Sequence, residues 1–559
     1  MESNQLISLP NLTNDIVTGA RKTKLCAYAV ALEGWRRGLK LKWYTIDSGK
    51  FDEMITFGVN PPGRLFSLSS EERTHFFFRT RGDKVTNEAV EIGSDKDETK
   101  VWLAKAGVPV PEGFMFNQDD SDEMILKQVE SIGYPLVLKP TNGSLGNGVI
   151  TNLKNDIELI KALSYVRNDL GYEEIIVERY VPGEEYRVYV VEDKVIAAYN
   201  RVPANIIGDG HHTIEELIEL KNKQRKKNAR LFSCLIEIDE ETLEFINKEG
   251  YNLQTIPERG KKIFLKEKTN VSAGGDPVDV TDDLPQTIKQ IAIDALNAIP
   301  GLYHGGVDII VDLENPNIEK SAVVIELNPT AQIGGILFPM KGRARDIPGA
   351  IIDYYFPETK GVKTAKSKVY FDLNTVLEPL QSRSAVEVEV APAPIGKLHA
   401  KLFIVKGSTL HSYSKHRIIK RLAIEKGLHG FINSVDNNLE IMVAGIGKEA
   451  ISTFQQTIYS VFEKKNIKKI VDEVWKHPVK VGFEIHERYN MSNIRSVDTS
   501  LKKINKEISK REKEKRKLEK RNLRILQSNS WKFTKPLRRV RKSVVDNITK
   551  GVSKSGKWV

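Results

Sequence analysis

The sequence predicts a multidomain protein of mixed α/β and α+β class, and three observations carry that prediction. Its 559 residues exceed what a single core usually serves. Apolar strands, glycine loops and charged helices alternate through the first two thirds, whereas residues 398–489 carry a separate βαββαβ order. Positive charge collects at one end: residues 501–559 hold 21 Lys and Arg against 5 Asp and Glu, so a net charge of +11 divides into +16 there and −5 elsewhere. The body is mildly acidic and any steering of polyanions falls to the tail, which removes the case from composition for a nucleic-acid partner.

In chain order, residues 1–90 contain the apolar runs Leu41–Ile46 and Met54–Gly58, read as strands of a short α/β domain. The run from Tyr134 to Val149 is an apolar strand ending in Lys139, followed by a loop with Gly143, Ser144, Gly146 and Gly148. Glycines there let backbone N–H groups approach a polyphosphate without Cβ interference. A plain strand-to-strand loop would explain the glycines alone. From Ile175 to Val190 the pattern is strand, Pro-Gly turn, strand, with Glu178 and Glu185 bracketing the turn. Such a hairpin offers backbone hydrogen bonds to an adenine edge and a carboxylate to ribose hydroxyls. Two further apolar strands, Gly305–Ile310 and Val323–Pro329, carry Asp308, Glu326 and Asn328. Two carboxylates and an amide supply the hard oxygen donors that magnesium, or manganese, shares with substrate phosphates. Ordinary exposure of strand residues would account for one of the three, not for all of them in apolar surroundings.

On these residues the chain resembles the ATP-grasp superfamily, and within it the ATP-grasp region of cyanophycin synthetases and related carboxylate-amine ligases, over about residues 90–356. Gly93–Lys100, Ala106–Gly113, Arg201–Thr213 and Ser272–Asp282 add ordered motifs to the resemblance. It implies an ATP-grasp fold at 91–356 with an insertion near 206–285, in which residues 214–232 read as a charged helix. It further implies that Lys96 and Lys139 contact the phosphates of ATP under the loop 143–148. Glu178 and the backbone of Arg179 and Val181 would hold adenine, and Glu185 the ribose. Asp308, Glu326 and Asn328 would hold Mg2+ or Mn2+, and Arg187 and Arg201 would neutralise phosphate or a carboxylate substrate. The implied reaction joins a small-molecule carboxylate to an amine through an acyl phosphate, as in making an envelope polymer or a peptide-like metabolite. Protein charges and loop closure do most of the work in such phosphoryl transfer. Residues 332–346 are expected to line the acceptor pocket, where Lys341, Arg343 and Arg345 either hint at an anionic substrate or form a solvated turn. Neither the acid nor the amine can be named from them.

A second ATP loop of the form G-x-x-G-K-[ST], needed by a complete cyanophycin synthetase, is missing. The stretch Ala444–Glu449 is a near miss without the magnesium-binding hydroxyl, and reads as a strand-to-helix turn.

Residues 357–397 read as a linker, with the prolines of Val390–Ile395 favouring an extended spacer. Residues 398–489 then read as a ferredoxin-like βαββαβ domain: strand His399–Lys406, helix Lys415–Lys426, strands Phe431–Val435 and Leu439–Ala444, helix Lys448–Glu463, strand Val479–Glu487. Ile451, Phe454, Ile458 and Phe462 mark the buried face of the second helix. The order and the segment Gly430–Ile441 resemble acylphosphatases. That resemblance implies an anion site at Lys415, His416 and Asn433, with Arg417 beside it. The loop 407–416 departs from the family pattern, being a residue longer, lacking the inner glycine and placing Lys415 or His416 where arginine is expected. Acyl phosphate hydrolysis and a binding or structural role on the same fold both remain open.

Residues 490–559 read as a basic helical tail. Leu501, Ile504 and Ile508 start a heptad that Arg511 and Lys515 interrupt, which leaves a short coiled coil or a solvated helix. Beyond it, Leu537, Val540, Val544 and Ile548 share a helical face among Lys and Arg, with Trp531 and Phe533 ahead. That pattern suits an anionic membrane surface; a disordered basic tail is the alternative. The run Ser530–Arg538 is similar to a terminal motif of bacterial glycosyltransferases that build surface polysaccharides. Cys26 and Cys234 have no triad-like surroundings and read as buried thiols. Residues 1–8 lack a secretory pattern and no run approaches membrane-spanning length, so the expected location is the cytoplasm, with the tail at the inner face of the membrane. A non-catalytic ATP-binding scaffold held at a membrane assembly is the remaining alternative function. The oligomeric state is not legible.

Overall fold

The computed structural model describes residues 8–141, 148–313, 315, 322–435, 438–486 and 511. Backbone contacts divide the chain into two compact units, residues 1–432 with 438–485, and residues 433–437 with 486–559. The tail readings and the loop residues Gly143, Ser144 and Gly146 lie outside the described residues. Among the described residues no helix is long and apolar enough to cross a membrane.

The first unit opens on the helix Leu25–Arg36, whose twelve residues are all buried. Apart from Glu33 and Arg36, which are hydrogen-bonded to Arg37 and to the Val369 and Asn11 carbonyls, its residues are apolar or small on every side, so it forms where structure covers it all round. One side packs on an antiparallel sheet of order 387–389, 40–44, 65–69, 74–78, 81–82, where Gly34 lets the Leu68 methyls come within 2.4 Å of where a Cβ would stand. The helix ends at Gly38, in the left-handed region at φ +92. Residues 357–397 also enclose it, and this corrects the linker expectation. That span holds the helix Leu373–Gln381 and the strand Glu387–Glu389, which pairs with Lys42–Tyr44. Leu373, Leu377 and Leu380 join the same core, so the span folds back instead of spacing two bodies. Met54–Gly58 is not a strand either. Its backbone is held by side chains, with the Ile55 N–H donating to Asn87 Oδ1 and Arg81 donating to the Ile55 carbonyl.

Two antiparallel sheets carry the candidate site. One has the order 113–116, 175–179, 136–140, 150–153 and packs on the helices Asp122–Val129 and Asp156–Ser164. The other has the order 276–279, 194–202, 184–191, 304–311, 322–328 and packs on the helix Gln286–Asn297. The insertion near 206–285 forms its own small core, with a helix Ile214–Lys226 and a two-stranded ribbon of Asn205–Ile207 and Lys262–Phe264. The helix is shorter than expected at its C-terminal end, with a 3-10 turn at Leu231–Ser233 beyond it.

In residues 398–486 the sheet order is 467–474, 399–407, 438–445, 429–435, 483–486. Ile451, Phe454, Ile458 and Phe462 are all buried in its core. The expected helix Lys448–Glu463 is two pieces, Lys448–Ser452 and Phe454–Phe462. The expected strand Val479–Glu487 is present as two pieces, Val479–Lys480 and Phe483–His486, and before them comes an unexpected strand, Ile467–Val474. Most of its residues are solvent-exposed at the sheet edge, so apolar alternation could not reveal it. Residues 444–449 are a strand end running into a helix start, as expected.

Candidate active site

Lys139 lies on the strand Leu136–Pro140 beside Ile175–Arg179, with Val137 opposite Glu178. Although Lys139 is only 7% exposed, its Nζ reaches Glu178 Oε1 at 2.6 Å. The other Glu178 oxygen accepts from Lys100 Nζ. Lys100 stands on the helix Lys96–Lys105, which Asp95 starts by accepting the amides of Asp97 and Glu98 at 2.9 and 3.0 Å. Lys96 is the first residue of that helix, and its Nζ donates to the Thr141 carbonyl at 3.0 Å, at the entrance to the glycine loop. Two lysines therefore share one buried carboxylate, and Lys96 stands near enough to feel its charge. Burial pushes the Glu178 carboxyl up, but Lys139 and Lys100 outweigh it and hold its pKa below the usual carboxylate value. Burial pulls Lys100 down, against the opposing charge of Glu178, and it pulls Lys96 down with Glu326 as the chief opposing charge.

Placement of the expected nucleotide contacts is mixed. The Glu178 carboxylate faces Lys139 and Lys100, which occupy both of its oxygens. The Arg179 N–H is already spent on the Glu112 carbonyl at 2.8 Å, while Val181 sits half-buried just past the strand. Glu185, expected at the ribose, pairs with Arg201 and accepts from Thr269. Gly148 has φ +73, a left-handed value suited to glycine, where the described chain resumes after the loop.

Arg187 and Arg201 converge on Asp308. Arg187 Nε and Nη2 grip both Asp308 oxygens at 2.6 Å, and Arg201 Nη2 stands 3.1 Å from Oδ2. Asp308 is 1% exposed; burial raises its pKa and the two guanidiniums more than reverse that. Opposite Asp308 in the ladder is Glu326, and Asn328 follows two residues on, on the same face of that strand. Asn328 Nδ2 is buried with no hydrogen-bond partner. Turned over, that amide presents an unpaired oxygen, so the donor set of Glu326, Asn328 and the remaining lone pairs of Asp308 fits a hard divalent cation. Among the described residues no group of three or more His, Cys, Asp or Glu side chains is placed to hold a metal ion.

Residues 93–211 match the RimK-like ATP-grasp domain family. The chain carries a RimK-like ATP-grasp domain. A cyanophycin synthetase of Trichormus variabilis is 36% identical to it over 332 residues, covering 59% of this chain and 34% of that protein. The glutathione biosynthesis bifunctional protein GshAB of Streptococcus mutans is 33% identical over 275 residues, covering 47% and 35% respectively. Among solved structures, a bifunctional glutathione synthetase from Pasteurella multocida aligns with 28% identity and a TM-score of 0.43, covering 53% of this chain and 41% of that one. The chain spans about a third of the length of the curated relatives it matches. The ATP-grasp match includes Lys96, Lys139, Glu178, Glu185, Arg187 and Arg201, while Asp308, Glu326 and Asn328 fall beyond its boundary.

Lys100 was missed by sequence reasoning. Its signal was present, since it lies one helical turn after Lys96 on the same face. The hint of an anionic substrate in 341–345 is corrected: Arg345 pairs with Asp279 and Asp282, and Arg343 with Asp282, so their charge is locally neutralised. The expected anion site of the 398–486 sheet is corrected too. His416 is buried with its Nε2 at 2.7 Å from the Leu410 carbonyl, an atom that only accepts, and burial lowers its pKa. Lys415 lies against the Phe462 ring and near Glu463, and Asn433 is on the strand His429–Val435. Arg417 is exposed. Cys26 and Cys234 are both buried.

Proposed function

We propose that this protein is an ATP- and magnesium-dependent ligase that joins a carboxylate to an amine. The observation that carries this reading is the lysine group around Glu178, standing at the entrance of a glycine loop and charge-coupled through Lys96 to the strand of Glu326 and Asn328. Family membership and relatives named as synthetases support it.

In this mechanism a substrate carboxylate oxygen attacks the γ-phosphorus of ATP, the bond to the β–γ bridging oxygen breaks, and ADP leaves. The amine nitrogen then attacks the acyl carbon, the carbon–oxygen bond to phosphate breaks, and phosphate departs as the nitrogen loses its proton. Lys139 and Lys96 would hold the phosphates, and Glu178 aims Lys139 and Lys100. Arg187 and Arg201 fix Asp308, leaving Glu326 and Asn328 to complete the metal site. Bound magnesium would supply charge neutralisation on the transferring phosphoryl group. ADP release by Lys139→Ala and Glu326→Ala variants tests the assignment. Each is expected to lose about 100-fold or more in turnover, a size typical of removing one preorganised charge. Turnover within threefold of the parent protein would refute it.

A further inference from the structure

The first unit contains two arginines that no carboxylate answers. Arg64 is 9% exposed and its Nε is buried with no hydrogen-bond partner; the same holds for the Nε of half-buried Arg79. Among the described residues neither Nε meets an acceptor. The two guanidiniums are neighbours, since a Cβ placed on Gly58 would lie 2.8 Å from Arg64 Nη1 and 4.0 Å from Arg79 Nη2. Their backbones are tied as well, with the Arg79 N–H donating to the Arg64 carbonyl at 2.9 Å. Arg79 has a left-handed backbone at φ +59, costly for a residue with a Cβ, and its guanidinium lies 4.6 Å from the centre of the Phe57 ring and 5.0 Å from that of Phe78. Burial, with no carboxylate to relieve it, pulls both guanidinium pKa values down, and Arg64 adds to the pull on Arg79. Other buried arginines have polar partners: Arg187 pairs with Asp308 and Arg225 with Asp276, while Arg36 and Arg81 donate to backbone carbonyls. With only their Nε atoms sealed from water, two adjacent and partly desolvated cations repel each other, and an anion meeting their Nη groups would relieve both.

Their position indicates which anion. Thr80, next to Arg79, donates to the Ala331 carbonyl at 3.0 Å. Ala331 lies in the loop directly after the strand of Glu326 and Asn328, and a Cβ on Gly306 would meet both Ala331 Cβ at 2.9 Å and Arg187 Cδ at 3.4 Å. The backbone that carries Arg79 is thus tied, through its neighbour Thr80, to the loop that leaves the candidate metal strand. We propose that Arg64 and Arg79 form a receptor for a substrate carboxylate that is not consumed in the reaction, so that one of the ligase's two substrates carries an additional carboxylate. Planar guanidiniums suit a carboxylate because their N–H groups match its two oxygens. Assigning the ligand to a ligase substrate rests on the function proposed above; the receptor itself does not.

The test is calorimetric titration of succinate and of neutral succinamide into the full-length protein. Succinate should bind at least tenfold more tightly, and Arg79→Gln should weaken it tenfold or more. Arg421→Gln, an exposed substitution on the helix Tyr413–Glu425, should change nothing. Arg64→Gln should repeat the loss; if it fails to fold, partly exposed Arg79 decides the question alone. Equal binding of succinate and succinamide, or an Arg79→Gln affinity within twofold, overturns the receptor. A fluorescent ATP analogue titrated into the same samples separates the two readings. Nucleotide binding without succinate preference defeats the receptor alone, whereas arginine-dependent succinate binding without nucleotide binding defeats the ligase alone. In turnover, acids or amines with a second carboxylate should be preferred, and Arg79→Gln should raise their KM tenfold with kcat within threefold. Equal release with neutral analogues overturns the substrate assignment.

Discussion

Glu178→Gln is the most revealing single change at the lysine group. The substitution keeps side-chain shape but removes the charge shared by Lys139, at 2.6 Å, and Lys100. All three side chains are largely withdrawn from water, so two ammonium groups would be left facing each other without an anion. Removing one partner of a buried ion pair costs about 3–5 kcal/mol. Here the upper half of that range is expected, because one carboxylate serves two cations. The measurement is the urea midpoint of unfolding combined with a double-mutant cycle. Lys100→Met in the Glu178→Gln background should recover part of the loss by deleting the surplus charge, giving a coupling of about 1–3 kcal/mol. The pH dependence has a definite sign. The native Glu178 pKa lies below its ordinary value of 4.5, so its stabilisation is fully present above that value and is lost as pH falls through the depressed native pKa. The variant should lack this acid-limb loss. Burial already lowers Lys100, and without Glu178 its charge should be lost at lower pH still, narrowing ADP release on the alkaline side. A cost under about 1 kcal/mol, or an unchanged acid limb, would refute the view that Glu178 organises the lysines.

Three other substitutions or truncations probe the surrounding account. Asp308→Asn should cost about 3–5 kcal/mol in urea unfolding, because Arg187 and Arg201 would lose a shared buried anion. His416→Ala should cost about 1–3 kcal/mol by leaving the Leu410 carbonyl without its donor, yet leave ADP release unchanged; a fall in turnover would return His416 to an anion-binding role. Deleting residues 495–559 removes the segment that carries the net positive charge and should abolish binding to anionic liposomes while sparing ATP turnover; unchanged liposome binding would rule out the membrane role of the tail.

Much of the candidate site was legible because its residues interrupt apolar strands. Lys139, Asp308 and Glu326 are charges where alternation demands hydrophobes, and only a site or a paired network keeps them there. The structure adds the pairing itself, which no local pattern encodes: Glu178 with two lysines, and Asp308 with two arginines from neighbouring strands. The strand Ile467–Val474 escaped notice because an exposed edge needs no apolar face. Residues 357–397 escaped for the opposite reason, since Leu373, Leu377 and Leu380 acquire meaning only against the helix Leu25–Arg36, more than three hundred residues earlier. Arg64 and Arg79 look like ordinary surface arginines in sequence; the lack of a carboxylate beside them is a tertiary fact.

The central claim is most directly tested by ADP and phosphate release from ATP and magnesium by the purified protein, against pools of amino acids, dipeptides and uronic acids. The account predicts release that requires one acid and one amine together, in equal amounts of ADP and phosphate. Nucleotide binding with no release under any pool would contradict it and leave an ATP-binding scaffold in its place.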